Sequence, residues 1–380
     1  MKTTIGLTWI VLIILAAGCD NKSKMEDKTL AFIGTYTQKE GHVDGKGAGV
    51  LIYETGPLAE NWKLLSTFSN IVNPSYLCLS PTLPVIYAVS EQGPGVPAPG
   101  SVIKVIKYDA FNFQMEELQS IGAKGDAPCY ISTSRDGKYV FAANYVTGNI
   151  VQYAIKTDGT LEEGIAFQPL GSGPHSRQEG PHAHYIKQHP TGNEIYGVDL
   201  GTDMITKYRS DKNGFHPLDT IQMEAGSGPR HLVWDKGGKS VYVLNELSGT
   251  VEQWTWTNDN AVRRSVTSLV QQGDSLQAGS ADIHISTDGR FIYASLRGDY
   301  NEVVVLEVNA ETGGLNIIQR VGAGGIGPRN FSISPDGDYL VVALQDSDKI
   351  NLFDRNQENG TLSQDFETID VSTPVCIVFN

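Results

Sequence analysis

The chain has 380 residues, of which 40% are hydrophobic and 19% are charged; this composition is typical of a soluble globular protein and excludes disorder as its main state. Its formal net charge of −14 disfavours a nucleic-acid partner or an anionic membrane surface, because an acidic surface repels polyanions. The 41 glycines and 17 prolines indicate many turns and therefore many short strands.

The N-terminal segment has the pattern of an export signal. Lys2 is followed by the apolar run Ile5–Ala17, which is too short to span a bilayer comfortably, and small residues precede Cys19. This stretch resembles a bacterial lipobox, which implies that Cys19 is lipidated and becomes the first residue of the mature chain. An ordinary secretory signal is the alternative. We expect a lipoprotein signal peptide over residues 1–18 and a flexible tether over residues 19–28. The protein would then be anchored in the cell envelope, facing the periplasm or the cell surface.

One pattern recurs about every 50 residues along most of the chain, which is the signature of a repeat architecture. Each copy has an apolar strand, a tight turn such as Asp136-Gly137, a second apolar strand and a third strand. Asp-Gly between apolar runs is a strong hairpin signal, and no long helical periodicity interrupts the pattern. The sequence therefore predicts an all-β chain. The six complete copies begin at Asn73, Ala127, Gly180, Gly228, Ser280 and Gly327.

A seventh copy is divided between the two ends of the chain. The C-terminal STPVCIVFN looks like the first strand of a copy, and the N-terminal LAFIGTYT and GVLIYE look like the strands that follow it. Pairing them would close a ring and protect the sheet edges. Residues 29–380 are therefore predicted to form one domain, a seven-bladed β-propeller closed by the C-terminal strand. Six or eight blades are the alternatives.

Alignment of the copies reveals two columns of side chains that we expect at one mouth of the central channel. Most members are polar and several are charged, which favours a ligand pocket over a water-filled channel. The column on the second strand holds Tyr36, Glu91, Tyr145, Leu200, Glu246, Arg297 and Gln345. The column near the start of the first strand holds Ser75, Cys129, His184, Arg230, Ala281, Arg329 and Val375.

The mature chain would keep three cysteines, Cys78, Cys129 and Cys376, an odd number that cannot all pair in an oxidising compartment. Each lies in an apolar, strand-like stretch, so we expect buried small apolar side chains; metal binding or thiol catalysis is the alternative. The sequence requires no metal or other cofactor. A metal held by His182, His184 and Glu246 is the minor alternative.

Three of the copies resemble a known family of propellers. GPHAHYIKQHPTGNEIYGVDL, GPRHLVWDKGGKSVYVLNE and ADIHISTDGRFIYASLRG are similar to the lactonase family, as are the opening FIGTYT and the ending TPVCIVF. That family includes the propeller-type 6-phosphogluconolactonases and the fungal-type 3-carboxy-cis,cis-muconate lactonizing enzymes. The resemblance covers roughly residues 30–380.

The resemblance implies a site made of one histidine, two arginines and one glutamate. These fall on His184, Arg230, Glu246 and Arg297, all members of the two columns. The neighbouring His182 leaves open which imidazole faces the site. We expect substrate contacts from His182, Arg329, Glu91, Tyr145 and Gln345.

These residue types suit hydrolysis of a lactone, which is a cyclic ester. Glu246 can be the general base if burial raises its pKa against the effect of the nearby arginines. Arg230 and Arg297 can hold a carboxylate or phosphate, or stabilise the oxyanion, and His184 can orient water or protonate the leaving alkoxide.

The sequence therefore predicts a monomeric lactone hydrolase that acts on a sugar lactone or a carboxylated lactone. Export argues against a 6-phospho substrate, because that sugar phosphate is made in the cytoplasm. A muconate-type cycloisomerase and a non-enzymatic binding scaffold are the alternatives.

Overall fold

A computed structural model of the chain describes the propeller, and the description begins at Lys28. The predicted signal peptide, Cys19 and the tether up to Asp27 lie outside the described residues and stay predictions. No helix in the described part of the chain is long and apolar enough to cross a membrane. The described residues are 28–41, 43–95, 100–257, 260–271 and 279–380.

Seven four-stranded antiparallel sheets are arranged as the blades of a ring. The prediction of an all-β, seven-bladed propeller is confirmed. The blades contain one strand more than the three that each repeat predicts. The added strand is the outermost one, as in Met115–Gly122, where exposed and half-buried residues alternate without a buried run. Such a strand lacks the apolar pattern that marks the inner three.

The strands can be given blade by blade, from the channel outward. Blade 1 consists of β30 (Pro374–Phe379), β1 (Leu30–Thr35), β4 (Val50–Glu54) and β5 (Lys63–Phe68), and blade 2 of β6 (Leu77–Leu79), β7 (Val85–Ser90), β8 (Val102–Tyr108) and β9 (Met115–Gly122). Blade 3 consists of β10 (Pro128–Thr133), β11 (Tyr139–Asn144), β12 (Ile150–Ala154) and β13 (Ile165–Phe167), and blade 4 of β14 (Ala183–Gln188), β15 (Ile195–Asp199), β16 (Met204–Asp211) and β17 (Gly214–Gln222). Blade 5 consists of β18 (Pro229–Trp234), β19 (Ser240–Asn245), β20 (Thr250–Thr257) and β21 (Asn260–Ser268), and blade 6 of β22 (Ser280–Ile285), β23 (Phe291–Leu296), β24 (Glu302–Val308) and β25 (Leu315–Gly322). Blade 7 consists of β26 (Pro328–Ile333), β27 (Tyr339–Leu344), β28 (Lys349–Arg355) and β29 (Leu362–Asp370); β2 (Lys39–Glu40) and β3 (Val43–Asp44) form a separate hairpin, and Ala59–Asn61 form a short 3-10 turn.

Blade 1 joins the two ends of the chain. β30 supplies its innermost strand and pairs antiparallel with β1, with Ile33 opposite Ile377 and Gly34 opposite Cys376. The side chain of Asn380 accepts a hydrogen bond of 2.8 Å from the backbone N–H of Leu30. The C-terminal strand therefore closes the ring by main-chain hydrogen bonds.

The core lies between neighbouring blades and continues around the ring. Buried apolar residues from both faces of the inner strands pack against those of the next blade. Three tyrosines on second strands add a directional contact, because each donates a hydrogen bond to a glycine carbonyl in the next blade. These pairs are Tyr87 with Gly159, Tyr242 with Gly313 and Tyr293 with Gly360, at 2.7–3.0 Å.

The Asp-Gly turns join first to second strands as their sequence predicts. Gly137 has a φ of 68°, a left-handed conformation that favours glycine. The Ser134 hydroxyl donates to Asp136 and accepts from the backbone N–H of Tyr139, at 2.7 and 2.9 Å. These local bonds fix the register of the hairpin.

Deletion of residues 372–380 tests ring closure. The truncated protein loses β30, including the buried Cys376 and Ile377, and each lost core side chain costs about 2–5 kcal/mol. We expect its melting temperature to fall by more than about 10 °C, or its cooperative transition to disappear.

A synthetic peptide of residues 372–380 should restore the transition in a concentration-dependent way, while a peptide of scrambled order should not. An unchanged melting temperature in the truncated protein would contradict the structural role of β30.

Candidate functional site

A repeated backbone hydrogen bond places the second-strand column at one mouth of the channel. In every blade the residue of the second-strand column donates its backbone N–H to a carbonyl at the start of the same blade, at 2.7–3.3 Å. The accepting residue precedes the blade's member of the first-strand column by two positions in the sequence. The shared bond gives all seven residues the same position in their blades. The donor–acceptor pairs are Tyr36–Thr373, Glu91–Asn73, Tyr145–Ala127, Leu200–His182, Glu246–Gly228, Arg297–Gly279 and Gln345–Gly327.

A β-bulge directs the first-strand column toward the same mouth. In blade 4, Ala183 and Tyr185 pair with the consecutive residues Asp199 and Val198, so that His184 has no partner opposite it. A bulge leaves one residue out of the ladder and turns its side chain. The same irregularity occurs in blades 3, 5 and 7 at the positions of Cys129, Arg230 and Arg329.

The two columns meet at a cavity of about 590 Å³. Eight of the nine predicted catalytic and substrate-contacting residues line it; His182 does not. A larger groove of about 940 Å³ follows the hairpin turns of blades 4 to 6 and contains no residue of either column. The described residues that line the smaller cavity are Glu91, Cys129, Tyr145, Arg177, His184, Arg230, Glu246, Gly279, Arg297, Gly298, Arg329, Gln345 and Asp346.

Glu246 is the electrostatic centre of this cavity, because three guanidinium groups contact its carboxylate. Arg177 donates a hydrogen bond of 2.8 Å to Oε1, and Nη2 of Arg297 lies 3.2 Å from the same oxygen. Nε of Arg230 lies 3.0 Å from Oε2. Both carboxylate oxygens are therefore paired with guanidinium groups of the protein itself.

The arginines decide the protonation state of Glu246. Burial alone would raise the pKa of this carboxyl, but the charges of Arg297, Arg230 and Arg177 lower it to about 2. The condition under which Glu246 could act as a base, a pKa raised by burial, is therefore not met while all three arginines contact it. The charges of the arginines outweigh burial, and Arg177 adds a third cation to Arg230 and Arg297.

Arg177 is the residue that sequence reasoning missed. It lies in the connection between β13 and β14, which is longer than the corresponding connections between the other blades and lies outside the aligned repeats, so no column contains it. Its second contact is a 2.9 Å hydrogen bond from Nη2 to the hydroxyl of Tyr145. The segment SGPHSRQEGP carried no pattern that marked its arginine as a site residue.

A second ion pair occupies the other side of the cavity. Nη2 of Arg329 lies 3.6 Å from Oε2 of Glu91, which also accepts a 3.0 Å hydrogen bond from the hydroxyl of Tyr36. The Arg329 guanidinium lies over the Tyr36 ring, 5.4 Å from its centroid. With Asp346 included, four arginines face three carboxylates around the cavity. The cavity thus has a net positive charge in a strongly acidic protein.

The two candidate histidines have different positions. His184 lines the cavity, and its buried Nδ1 has no hydrogen-bond partner. Burial, together with the charge of Arg230, holds the pKa of His184 well below its usual value, so the imidazole is neutral. The His182 ring instead stacks on Tyr145 at 4.6 Å, and its Nδ1 lies 2.7 Å from the Tyr145 carbonyl oxygen. His182 therefore contacts both the ring and the backbone of Tyr145 and helps to hold this residue at the cavity.

A buried network beneath the cavity fixes Arg230. Its Nη1 lies 3.4 Å from Nε2 of His231 and also donates to the carbonyl of Ala281. Because a guanidinium can only donate, Nε2 of His231 is the acceptor, and its Nδ1–H donates to Asp282 at 2.8 Å. Asp282 also accepts from Asn330 at 2.6 Å.

The cysteines play a passive part in this arrangement. Cys78, Cys129 and Cys376 are free thiols, and the latter two are buried as predicted, while Cys78 is half-buried. Cys129 lines the cavity, but burial raises the pKa of its thiol, which keeps it protonated and a weak nucleophile. In the described part of the chain, no group of three or more His, Cys, Asp or Glu side chains is placed to hold a metal ion.

Comparison with known proteins identifies the family. The sequence profile of the family "Lactonase, 7-bladed beta-propeller" matches residues 30–379. The chain belongs to this lactonase family. It is 28% identical to the 6-phosphogluconolactonase of Bacillus subtilis over 93% of this chain and 98% of that protein. It is 31% identical to the 6-phosphogluconolactonase of Formosa agariphila over 88% of this chain and 94% of that protein.

A solved structure agrees with this assignment. The periplasmic gluconolactonase of Pseudomonas aeruginosa superposes with a TM-score of 0.82 at 27% identity, covering 93% of this chain and 99% of that one. The family and these relatives show that the protein is a lactonase enzyme.

The buried His231 predicts how stability depends on pH. Burial, followed by the charge of Arg230, lowers the pKa of this imidazole from 6.5 to about 4. The unfolded chain therefore takes up a proton at a higher pH than the folded one. Stability is lost as the pH falls below about 6.5, by about 2 kcal/mol at pH 5 from His231 alone.

Urea unfolding at pH 7.5 and pH 5 measures this effect, with His231→Gln as the matched variant, because glutamine can also accept from Arg230 and donate to Asp282. The variant should show a pH difference smaller by about 2 kcal/mol. Equal pH differences in the two proteins would contradict the assignment of a neutral His231.

Proposed function

We propose that this lactonase hydrolyses a sugar lactone in the cavity at the channel mouth. The convergence of four arginines, two glutamates and a neutral histidine on one open cavity carries the proposal. The names of the relatives support a gluconolactone-type ring as the substrate. They also favour hydrolysis over the cyclisation of a muconate.

In the proposed reaction, water attacks the lactone carbonyl carbon and the carbonyl oxygen becomes an oxyanion. Arg297 suits the stabilisation of this oxyanion, because its side chain is 20% exposed and a guanidinium donates in a fixed plane. Glu246 accepts the proton of the attacking water. The ester bond then breaks, and the same proton passes to the ring oxygen as it leaves.

His184 is assigned the orientation of water rather than acid catalysis. Its pKa lies well below its usual value, so at neutral pH it carries no extra proton to give to the leaving alkoxide. One of the two ring nitrogens of His184, the unpaired Nδ1 or Nε2, can hold the attacking water by a hydrogen bond. Arg230, enclosed by Glu246, His231 and Ala281, keeps the carboxylate in place.

Glu246→Gln tests the proposed base. Glutamine keeps the shape of the side chain but cannot accept the proton, so hydrolysis should fall by about 10²–10⁴-fold. The measurement is acid release from a panel of sugar lactones, because the product acid ionises at neutral pH.

Glu91→Gln is the matched control, since it removes a carboxylate from the same cavity without touching the proposed base. We expect a smaller loss than in Glu246→Gln, and both variants should be shown to be folded. If folded wild-type protein hydrolyses no sugar lactone above background, the proposed function is wrong.

We also propose that the protein is exported and anchored through a lipid on Cys19. The lipobox-like sequence motivates this, and the relative from Pseudomonas aeruginosa is named as periplasmic. Bacterial lipoproteins carry more than one acyl chain, which suits stable anchoring.

Cys19→Ala should move the protein from the membrane to the soluble fraction without altering its melting temperature. Continued sedimentation with the membrane would argue against the lipid anchor.

A further inference from the structure

We propose that Arg177 selects lactones that carry a phosphate or a carboxylate, and that such a group draws Arg177 away from Glu246 and so frees the base. This inference rests on the proposed lactone hydrolysis and names the substrate class of the same cavity. The argument begins with the unequal positions of the three arginines around Glu246.

Arg230 and Arg297 are held by the protein itself. The side chain of Arg230 is 2% exposed and is also bonded to Ala281 and His231. Nε of Arg297 donates a 3.0 Å hydrogen bond to the carbonyl of Gly279, and its backbone N–H donates to the same oxygen. Neither guanidinium can leave Glu246 without breaking bonds to the main chain.

Arg177 has a different set of partners. Its side chain is 46% exposed, and its guanidinium contacts are the Glu246 carboxylate and the Tyr145 hydroxyl, both of which face the cavity. Water can solvate the exposed part of this guanidinium when it leaves the carboxylate, whereas the side chain of Arg230 is almost fully enclosed. Among the three arginines around Glu246, Arg177 is therefore the one that can exchange the carboxylate for an anionic ligand.

The backbone that carries Arg177 is fixed, so the exchange is a movement of the side chain alone. The adjacent Gln178 is fully buried and donates through Nε2 to the Leu200 carbonyl and to Asp203, each at 2.8 Å. Its Oε1 accepts from the N–H of His175 at 3.0 Å. The connection is therefore a segment fixed by buried hydrogen bonds, and it places the side chain of Arg177 at the cavity.

The exchange changes what Glu246 can do. Three guanidiniums hold its pKa at about 2, where the carboxylate is a poor proton acceptor. Transfer of Arg177 to a ligand removes one of them, and the ligand's own negative charge opposes the other two, so both effects raise the pKa of Glu246. The other charged or titratable groups lining the cavity are Arg230, Arg297, Arg329, Glu91, Asp346, His184, Tyr145 and Cys129.

A neutral lactone cannot produce this change, because it has no anionic group to replace Glu246 as the partner of Arg177. The exchange therefore favours an anionic lactone over a neutral one twice, first in binding to Arg177 and then in the proton transfer to Glu246. Phosphate and carboxylate offer the same paired acceptor oxygens to a guanidinium. Both 6-phosphogluconolactone and a carboxylated sugar lactone fit this chemical requirement. If the protein is exported as proposed, the carboxylated lactone is the one it meets, because the sugar phosphate is made in the cytoplasm.

Arg177→Gln should affect anionic and neutral lactones in opposite directions. For the phosphorylated or carboxylated lactone, kcat/KM should fall by about 10²-fold, because a charge-assisted pair of hydrogen bonds is lost. For gluconolactone, kcat should rise by several fold, since Glu246 has lost a cation, and the acid limb of its pH profile should move to higher pH. Arg177→Lys should recover part of the anion preference.

Arg209→Gln is the matched control, because Arg209 is exposed on the third strand of blade 4, outside the cavity. It should leave both substrates unaffected. If Arg177→Gln lowers the activity on both substrates equally, Arg177 has only a structural role and the inference is overturned.

Calorimetric titration with inorganic phosphate separates this inference from the proposed function. Wild-type protein should bind phosphate at least about tenfold more tightly than Arg177→Gln, a difference of 1.4 kcal/mol. Arg177-dependent phosphate binding without turnover of any lactone would keep the anion site and reject lactone hydrolysis. Lactone turnover with equal phosphate binding in both proteins would keep the hydrolysis and reject the role of Arg177.

Discussion

The pairing of β30 with β1 is the constraint on which the rest of the molecule depends. Each blade buries its faces against two neighbours, so an open ring would leave two apolar faces and two sheet edges exposed. Pairing of the C-terminal strand with β1 covers these faces and edges. The two columns converge on one cavity only because the ring is closed, since neighbouring members come from different blades and from distant parts of the chain.

Much of this architecture could be predicted from the repeats. The hydrophobic period and the Asp-Gly turns identify the inner strands, and a shared register lists the side chains at the channel mouth, among them Glu246 and Arg297. The backbone bond from each second-strand residue to the start of its blade explains why a one-dimensional alignment predicts a three-dimensional ring. Periodicity is reliable here because every blade repeats the same local hydrogen bonds.

Features outside the repeat could not be predicted in this way. Arg177 lies in a connection that is longer than those between the other blades. The bulge that separates His184 from His182 depends on strand pairing rather than on residue type. The pKa of Glu246 depends on three distances that are set by different blades and by that connection. Sequence reasoning identified Glu246, Arg230 and Arg297, but it identified neither Arg177 nor the balance of charge among the four residues.

That balance explains how such a charged cavity is compatible with a folded protein. Four guanidiniums close together would repel one another strongly, and burying any of them unpaired would be costly. Glu246 and Glu91 offset this repulsion by pairing with the arginines. Beneath the cavity, Asp282 adds a further negative charge, which contacts His231. An anionic substrate can then replace part of that internal compensation, since it brings its own negative charge to Arg177. In the proposed exchange, binding of such a substrate would release the Glu246 carboxylate from Arg177. The same electrostatic arrangement would then account for both the stability of the cavity and the proposed preference for a charged lactone.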